Sequence, residues 1–166
     1  KMTLFESATR VPLLIRDPKS QATSWGRRTQ SPAQLLDVYP TIATLANAAR
    51  ATAVDGVDLA PLFANPDDTS VSVAAYSQQA RCYQKNAATP HTTPGQASLT
   101  AMMTCEFVPR TQMDYMGYSL RTRDFRFTAW VGWNGSAMAP NWAASVGTEL
   151  YDHRPNGTDG HLHPEW

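Results

Sequence analysis

The sequence predicts a chain of the α/β class, an α+β piece in which an antiparallel sheet of about four short strands packs against a helix. Three patterns predict it. Residues 115–122 and 125–133 both have strand composition, and Arg123-Asp124 between them suits a tight hairpin turn. Within the second arm, residues 126–131 alternate polar and apolar side chains, which is typical of a strand with one buried face. Between residues 37 and 46, apolar side chains recur at helical spacing.

The predicted helix begins at Asp37. An aspartate is a good N-cap, and Pro40 then falls in the first turn, where its missing N–H costs little. The apolar spacing predicts a buried face formed by Ile42, Leu45 and Ala46.

Three further segments predict strands: residues 11–16, 71–77 and 148–151. Residues 78–112 are the least regular part of the sequence, because they hold several prolines and both cysteines. A connection of that length in a compact domain is usually functional or stapled by a disulfide.

Composition narrows the class of partner. The 166 residues carry 14 basic and 14 acidic side chains, so the formal net charge is zero. A nucleic acid or a membrane surface bound through bulk charge is therefore not expected. The hydrophobic fraction of 42% suffices for a core, and no apolar run reaches the roughly 18 residues that a membrane span needs.

Cysteines and glycosylation motifs point to an extracellular or lysosome-like compartment. Cys82 and Cys105 are the only cysteines, so they form one disulfide or remain two separate buried thiols. Asn134 and Asn156 each begin an Asn-Gly-Ser/Thr acceptor motif for glycosylation. The first residues have no signal-peptide pattern. Together these features predict that the natural N-terminus lies upstream.

The sequence contains no self-contained catalytic motif. Phosphate-binding loops, Gly-x-Ser-x-Gly, His-Glu-x-x-His and Cys-x-x-Cys are all missing from it. His161 and His163 could bind a metal, but a solvated tail is favoured. The Asp152-His153 pair could be an acid–base pair, but turn chemistry is favoured. Glu6 and Arg10 have the spacing of an ordinary ion pair.

A family resemblance supplies the reaction. Residues 1–15, in which a lysine precedes Thr-Leu-Phe-Glu and then Arg-Val-Pro, resemble a stretch common to sulfatases of the alkaline-phosphatase-like superfamily. Further resemblances follow in the same order along the chain. They cover residues 36–46, 55–62, 75–78, 116–122, 125–130 and 149–153, and the last four of these resemble the C-terminal subdomain of iduronate-2-sulfatase-like enzymes.

The resemblance implies that residues 1–66 end the sulfatase α/β domain and that residues 67–166 form a small antiparallel C-terminal subdomain. Sulfatases use a formylglycine made from the cysteine of a Cys-x-Pro-x-Arg motif, together with a calcium ion. The surroundings of Cys82 and Cys105 do not match that motif. Formylglycine and calcium are therefore expected upstream, in an N-terminal sulfatase part, and this chain alone is expected to be inactive.

The resemblance also implies site residues. Lys1 stands where sulfatases place a lysine that contacts the substrate sulfate, a task that suits a compact ammonium group; a solvated terminal lysine is the alternative. Arg81 is expected to contact the substrate, since a guanidinium suits the carboxylate of a uronate sugar. His91 is a second, weaker candidate. The Gln79-Ala80 pair departs from the family pattern and leaves the substrate open.

These observations predict the C-terminal portion of a secreted sulfatase that hydrolyses sulfate esters of a sugar or polysaccharide. The alternative is a sulfatase-like extracellular module, structural or binding, without catalysis. Phosphatase or phosphodiesterase chemistry on the same fold is a third possibility.

Overall fold

The structure is a computed structural model that describes residues 3–19, 25–83, 102–103, 105 and 108–154. Its contacts divide the chain into two compact units. The sheet unit is drawn from the described residues of Lys1–Val11, Ser77–Ser119 and Arg126–Tyr151. The helix unit is drawn from those of Pro12–Tyr76, Leu120–Phe125 and Asp152–Trp166. The division of residues 1–66 from 67–166 stays a prediction about the longer protein.

A five-stranded sheet confirms the predicted fold class. Its strands are β1 (Ala75–Tyr83), β2 (Met102–Met103), β3 (Tyr115–Arg121), β4 (Phe125–Asn134) and β5 (Ala139–Asp152), in the spatial order β2-β1-β3-β4-β5. Four of these strands form the predicted antiparallel sheet, although β1 lies later in the chain than the strand predicted at 71–77 and extends into the segment predicted to be irregular. Strand β2 adds a two-residue edge that pairs antiparallel with β1. A single helical turn, α1 (Glu6–Thr9), contacts the sheet within the same unit.

The predicted hairpin is β3–β4. Hydrogen bonds from Thr122 N to Phe125 O and from Trp133 N to Asp114 O share one antiparallel register. That register places Gly117 opposite Trp130 and Ser119 opposite Thr128, so these side chains lie on one face of the sheet.

The core of the sheet unit lies on and around this hairpin. Leu4 is 5% exposed, and it covers the hairpin face that carries Gly117. The other buried apolar side chains of this unit are Cys82, Cys105, Tyr115, Met116, Trp130 and Val131. The N-terminal segment therefore contributes to the core.

The helix unit contains α2 (Val38–Leu45) and α3 (Pro61–Ala64), and a 3-10 turn at Leu35–Asp37 leads into α2. Asp37 does not cap α2 with its side chain. Instead its buried carboxylate accepts hydrogen bonds from Gln34 N (2.7 Å) and Val57 N (2.8 Å). This ties the helix start to the turn at Gly56, where a Cβ would lie 2.1 Å from Leu36 O.

The predicted buried face of α2 is wrong. Ile42 is 46% exposed, Ala46 is exposed and Leu45 is half-buried, whereas Pro40, Thr41 and Ala43 are buried. Thr41 can be buried because its Oγ1 donates to Asp37 O and accepts from Leu59 N. A pattern of apolar residues alone does not reveal a buried hydroxyl.

Residues 11–16 form no strand, which corrects the prediction, and Leu14 is 88% exposed. Within the described residues, no helix combines the length and the apolar character needed to cross a bilayer.

Candidate functional site

The predicted site residues fall partly within the described residues. Arg81 is half-buried on β1, and Asn134 is exposed at the end of β4. Cys82 and Cys105 form a disulfide, which confirms the bonded alternative. Lys1, His91 and Asn156 lie outside the described residues, as do His161 and His163.

Arg81 is held over an aromatic ring. Its guanidinium carbon lies 5.7 Å from the centre of the Trp130 ring, which is within the range of a cation–π interaction. Trp130 is 5% exposed, and its Nε1 donates a hydrogen bond to Glu149 Oε1 at 3.0 Å. Because the Trp130 ring is buried and hydrogen-bonded, its contact limits the orientations that the Arg81 guanidinium can adopt.

Glu149 connects Trp130 to Tyr151. The Tyr151 hydroxyl donates to Glu149 Oε2 at 3.0 Å, and the Phe5 ring contacts Tyr151 edge-to-face at a centroid distance of 6.0 Å. Desolvation by burial raises the pKa of Tyr151 to about 12, and the hydrogen bond to Glu149 and its negative charge add to the rise. Tyr151 therefore stays a neutral donor at physiological pH.

The segment that follows Lys1 contacts the same ring as Arg81. A Cβ placed on Gly117 would lie 2.6 Å from Trp130 Cζ3 and 2.7 Å from Leu4 Cδ1, so both side chains fill the space that the glycine leaves. We call this arrangement the Trp130 cluster, formed by Leu4, Phe5, Arg81, Gly117, Trp130, Glu149 and Tyr151. It brings the N-terminal segment and Arg81 together although about 75 residues separate them in sequence.

An ion pair between the buried Arg126 and the half-buried Glu6 also attaches the N-terminal segment. Arg126 Nη2 donates to Glu6 Oε2 at 2.7 Å, and Arg126 Nε donates to the same oxygen at 3.2 Å. Arg126 Nη1 donates to Ser119 Oγ at 2.9 Å, and Thr128 Oγ1 donates to that oxygen at 3.0 Å. Sequence reasoning missed this pair, because Glu6 and Arg126 are 120 residues apart.

The disulfide restrains the strand that carries Arg81. Cys82 follows Arg81 directly on β1, and its Cα lies 5.4 Å from the Cα of Cys105. Because both sulfur atoms are bonded to each other in the disulfide, neither cysteine has the free thiol from which formylglycine is made.

Asp152 and Glu6, which the sequence pattern paired with His153 and Arg10, each bind a different arginine more closely. Asp152 binds Arg154 through both carboxylate oxygens, with Nε–Oδ1 at 2.9 Å and Nη2–Oδ2 at 2.5 Å. Hydrogen bonds from the Arg154 side chain and backbone lower the pKa of Asp152. Glu6 lies 4.0 Å from Arg10, whose side chain is largely exposed, and contacts Arg126 much more closely.

Among the described residues, no group of three or more His, Cys, Asp or Glu side chains is arranged to hold a metal ion. The calcium ligands expected upstream stay a prediction. The helix unit carries a half-open cavity of about 280 Å³ at the turn of Thr122 to Phe125, and no predicted site residue lines it.

Similarity to a known protein indicates a sulfatase-like region. No protein-family model matches the chain. The chain is 28% identical to mouse iduronate 2-sulfatase over an aligned length of 196 residues, which covers 91% of this chain. That alignment covers 32% of the relative, so the chain spans about a third of the length of the curated relative that it matches. The similarity supports a sulfatase-like C-terminal region.

Proposed function

We propose that this chain is the C-terminal portion of a secreted or lysosomal sulfatase that hydrolyses sulfate esters of a sugar or polysaccharide. The observation that carries the proposal is similarity to iduronate 2-sulfatase along nearly the whole chain. The Trp130 cluster supports it, because it gathers the segment after Lys1 and Arg81 on one ring. Neither a nucleic acid nor a membrane span is part of this proposal.

Lys1 is the residue of this chain that acts on the reacting group. Its ammonium neutralises a sulfate oxygen and favours departure of the sugar oxygen as negative charge develops there. Leu4 and Glu6, which follow in sequence, hold their segment on the sheet unit.

Arg81 selects the sugar. The guanidinium fork recognises a planar carboxylate with two parallel hydrogen bonds, so the preferred substrate carries a uronate group beside the ester. The Trp130 ring lies 5.7 Å from the guanidinium carbon and holds Arg81 by a cation–π contact. His91 is a second candidate for a substrate contact.

The N-terminal sulfatase part supplies the remaining chemistry, either from the same precursor or as a separate chain. It provides the formylglycine nucleophile and the calcium ligands, so this chain alone is inactive. Asn134 and Asn156 carry glycans in this proposal, and the exposed position of Asn134 allows one there.

The test uses the complete protein and measures sulfate release from a sulfated uronate disaccharide. Lys1→Ala is expected to lower kcat by about a hundredfold or more, because it removes a cation from the developing charge. Arg28→Ala is the matched control, since Arg28 is an exposed arginine of the helix unit. Unchanged turnover in Lys1→Ala would contradict the sulfate-contact role.

Arg81→Ala has its own readout. It is expected to raise KM for the uronate substrate by roughly tenfold or more, the effect of losing a charged hydrogen bond. For a substrate whose carboxylate is methylated, Arg81→Ala should raise KM much less, because that substrate offers no anion to Arg81. An equal rise in KM for both substrates would overturn the assignment of Arg81 to the carboxylate.

Complete protein that binds sulfated sugars but releases no sulfate would favour the non-catalytic module instead.

A further inference from the structure

We propose that Glu6 and Arg126 form a positioning ion pair that sets the alignment of the segment after Lys1, and through it the reactivity of Lys1. The proposal rests on the proposed function of Lys1. Neither residue touches the substrate in this proposal, so both are positioning residues and not catalytic ones.

Within the ion pair, Arg126 is held in place by the β3–β4 hairpin. Arg126 is 3% exposed, and each of its three guanidinium nitrogens donates a hydrogen bond. Ser119 Oγ accepts both from Arg126 Nη1 and from Thr128 Oγ1, so the guanidinium is fixed from two neighbouring strands. The hairpin thus presents a cation in one defined orientation.

The N-terminal segment depends on Arg126 for its placement. The helix α1 has only four residues and no side-chain cap, so it cannot hold its own geometry. Two N–H groups of Arg126 converge on the single oxygen Glu6 Oε2, which fixes both the distance and the direction of the carboxylate. Glu6 is five residues after Lys1 in sequence, so its placement limits where the preceding chain can run.

Apolar contacts alone do not fix the orientation of the segment. Leu4 inserts beside Gly117 and Trp130, and Phe5 contacts the Tyr151 ring from a half-exposed position. The Glu6 carboxylate adds a directional contact to Arg126 that these apolar contacts lack. Positioning of this kind matters for a transition-state contact, because a displacement of about 1 Å can cost roughly a hundredfold in rate.

The first experiment substitutes Glu6→Gln in the complete protein and measures sulfate release. Gln keeps the shape but removes the charge that Arg126 recognises, so kcat is expected to fall by about tenfold or more while KM changes little. Arg10→Gln is the matched control, because Arg10 faces the same carboxylate at 4.0 Å from an exposed position. Its kcat is expected to stay unchanged.

A double-mutant cycle separates positioning from a general loss of structure. In a Lys1→Ala background, Glu6→Gln is expected to cause no further loss of kcat, because the residue that it positions is already gone. If the two losses multiply, the proposal is wrong. If Lys1→Ala leaves kcat unchanged, the proposed role of Lys1 fails instead, and the two failures are thereby distinguished.

Hydrogen–deuterium exchange gives a readout that is independent of activity. Glu6→Gln is expected to speed exchange of the Ala8, Thr9 and Arg10 amides, while the amides of β3 and β4 keep their protection. Ser119→Ala provides a second variant if Glu6→Gln does not fold, since it leaves both Arg126–Glu6 hydrogen bonds in place and removes the acceptor of Arg126 Nη1 and Thr128 Oγ1. It should reproduce a smaller change in the same amides, and unchanged exchange there would contradict the proposal.

Discussion

At the scale of single residues, Tyr151 shows how the Trp130 cluster is held together by polar contacts. Its hydroxyl donates to Glu149, whose other oxygen accepts from Trp130 Nε1. One carboxylate thereby orients both a phenol and an indole. Loss of this carboxylate would leave two partly buried donors without their acceptor, which costs more than the hydrogen bonds contribute.

The raised pKa of Tyr151 predicts an alkaline limit to stability. The folded pKa of about 12 lies above the ordinary value of 10.0, so folding favours the neutral phenol. The resulting stability is fully present below about pH 10 and is lost as pH rises towards about 12, when the unfolded phenol ionises first. Urea unfolding of the wild type at successive alkaline pH values should show this decline.

Tyr151→Phe should be less stable than the wild type by about 1 kcal/mol at neutral pH, because it lacks one hydrogen bond. Its alkaline decline should be shallower than that of the wild type. Parallel declines in the two proteins would show that Tyr151 does not carry the effect.

At the scale of secondary-structure elements, Gly117 determines how closely the N-terminal segment approaches the β3–β4 hairpin. Gly117→Ala would place a Cβ 2.6 Å from Trp130 and 2.7 Å from Leu4. Overpacking of this kind should lower the free energy of unfolding by roughly 1–3 kcal/mol.

Gly147→Ala on β5 is the matched control, because nothing lies within 4 Å of its Cβ position. Urea denaturation of both variants checks the prediction. Equal stability of the two variants would mean that the Leu4–Trp130 contact tolerates an added methyl group.

Local sequence patterns predicted the elements that form between residues close together in the chain. The β3–β4 hairpin was predictable because two segments of strand composition flank a two-residue turn. Strand β5 was predicted only at 148–151, because its earlier part, Ala139 to Gly147, lacks the strand alternation. Residues 11–16 have strand composition but form no strand, which composition alone does not reveal.

The candidate site was predictable residue by residue but not as an arrangement. Arg81 was named from its chemistry and resemblance, whereas its partner Trp130 is 49 positions away and was noted only as part of a resembling stretch. The Glu6–Arg126 pair escaped prediction for the same reason, and Glu6 was instead matched with its helical neighbour Arg10. Long-range pairs form because the sheet brings distant strands together, and spacing along the chain does not record that.

At the scale of the whole molecule, the disulfide is the covalent link between β1 and Cys105. It joins residues with a sequence separation of 23. Replacing both cysteines by serine is expected to destabilise the protein by roughly 3 kcal/mol, since the cross-link restricts the unfolded chain.

Thermal unfolding with and without reductant tests the disulfide. The wild type should lose stability when reduced, and the double-serine variant should not respond. A reductant-sensitive variant would point to an effect unrelated to Cys82 and Cys105.

The 120-residue separation of Glu6 and Arg126 also has a consequence for synthesis. At the usual elongation rate of about 5–20 residues per second, the segment around Leu4 leaves the ribosome on the order of ten seconds before its hairpin partner exists. During that interval Leu4, which is 5% exposed in the folded chain, has no sheet to cover. A nascent chain that stalls before β4 is complete therefore exposes Leu4 to chaperones and proteases, and premature termination there leaves the segment after Lys1 without its contact to Arg126.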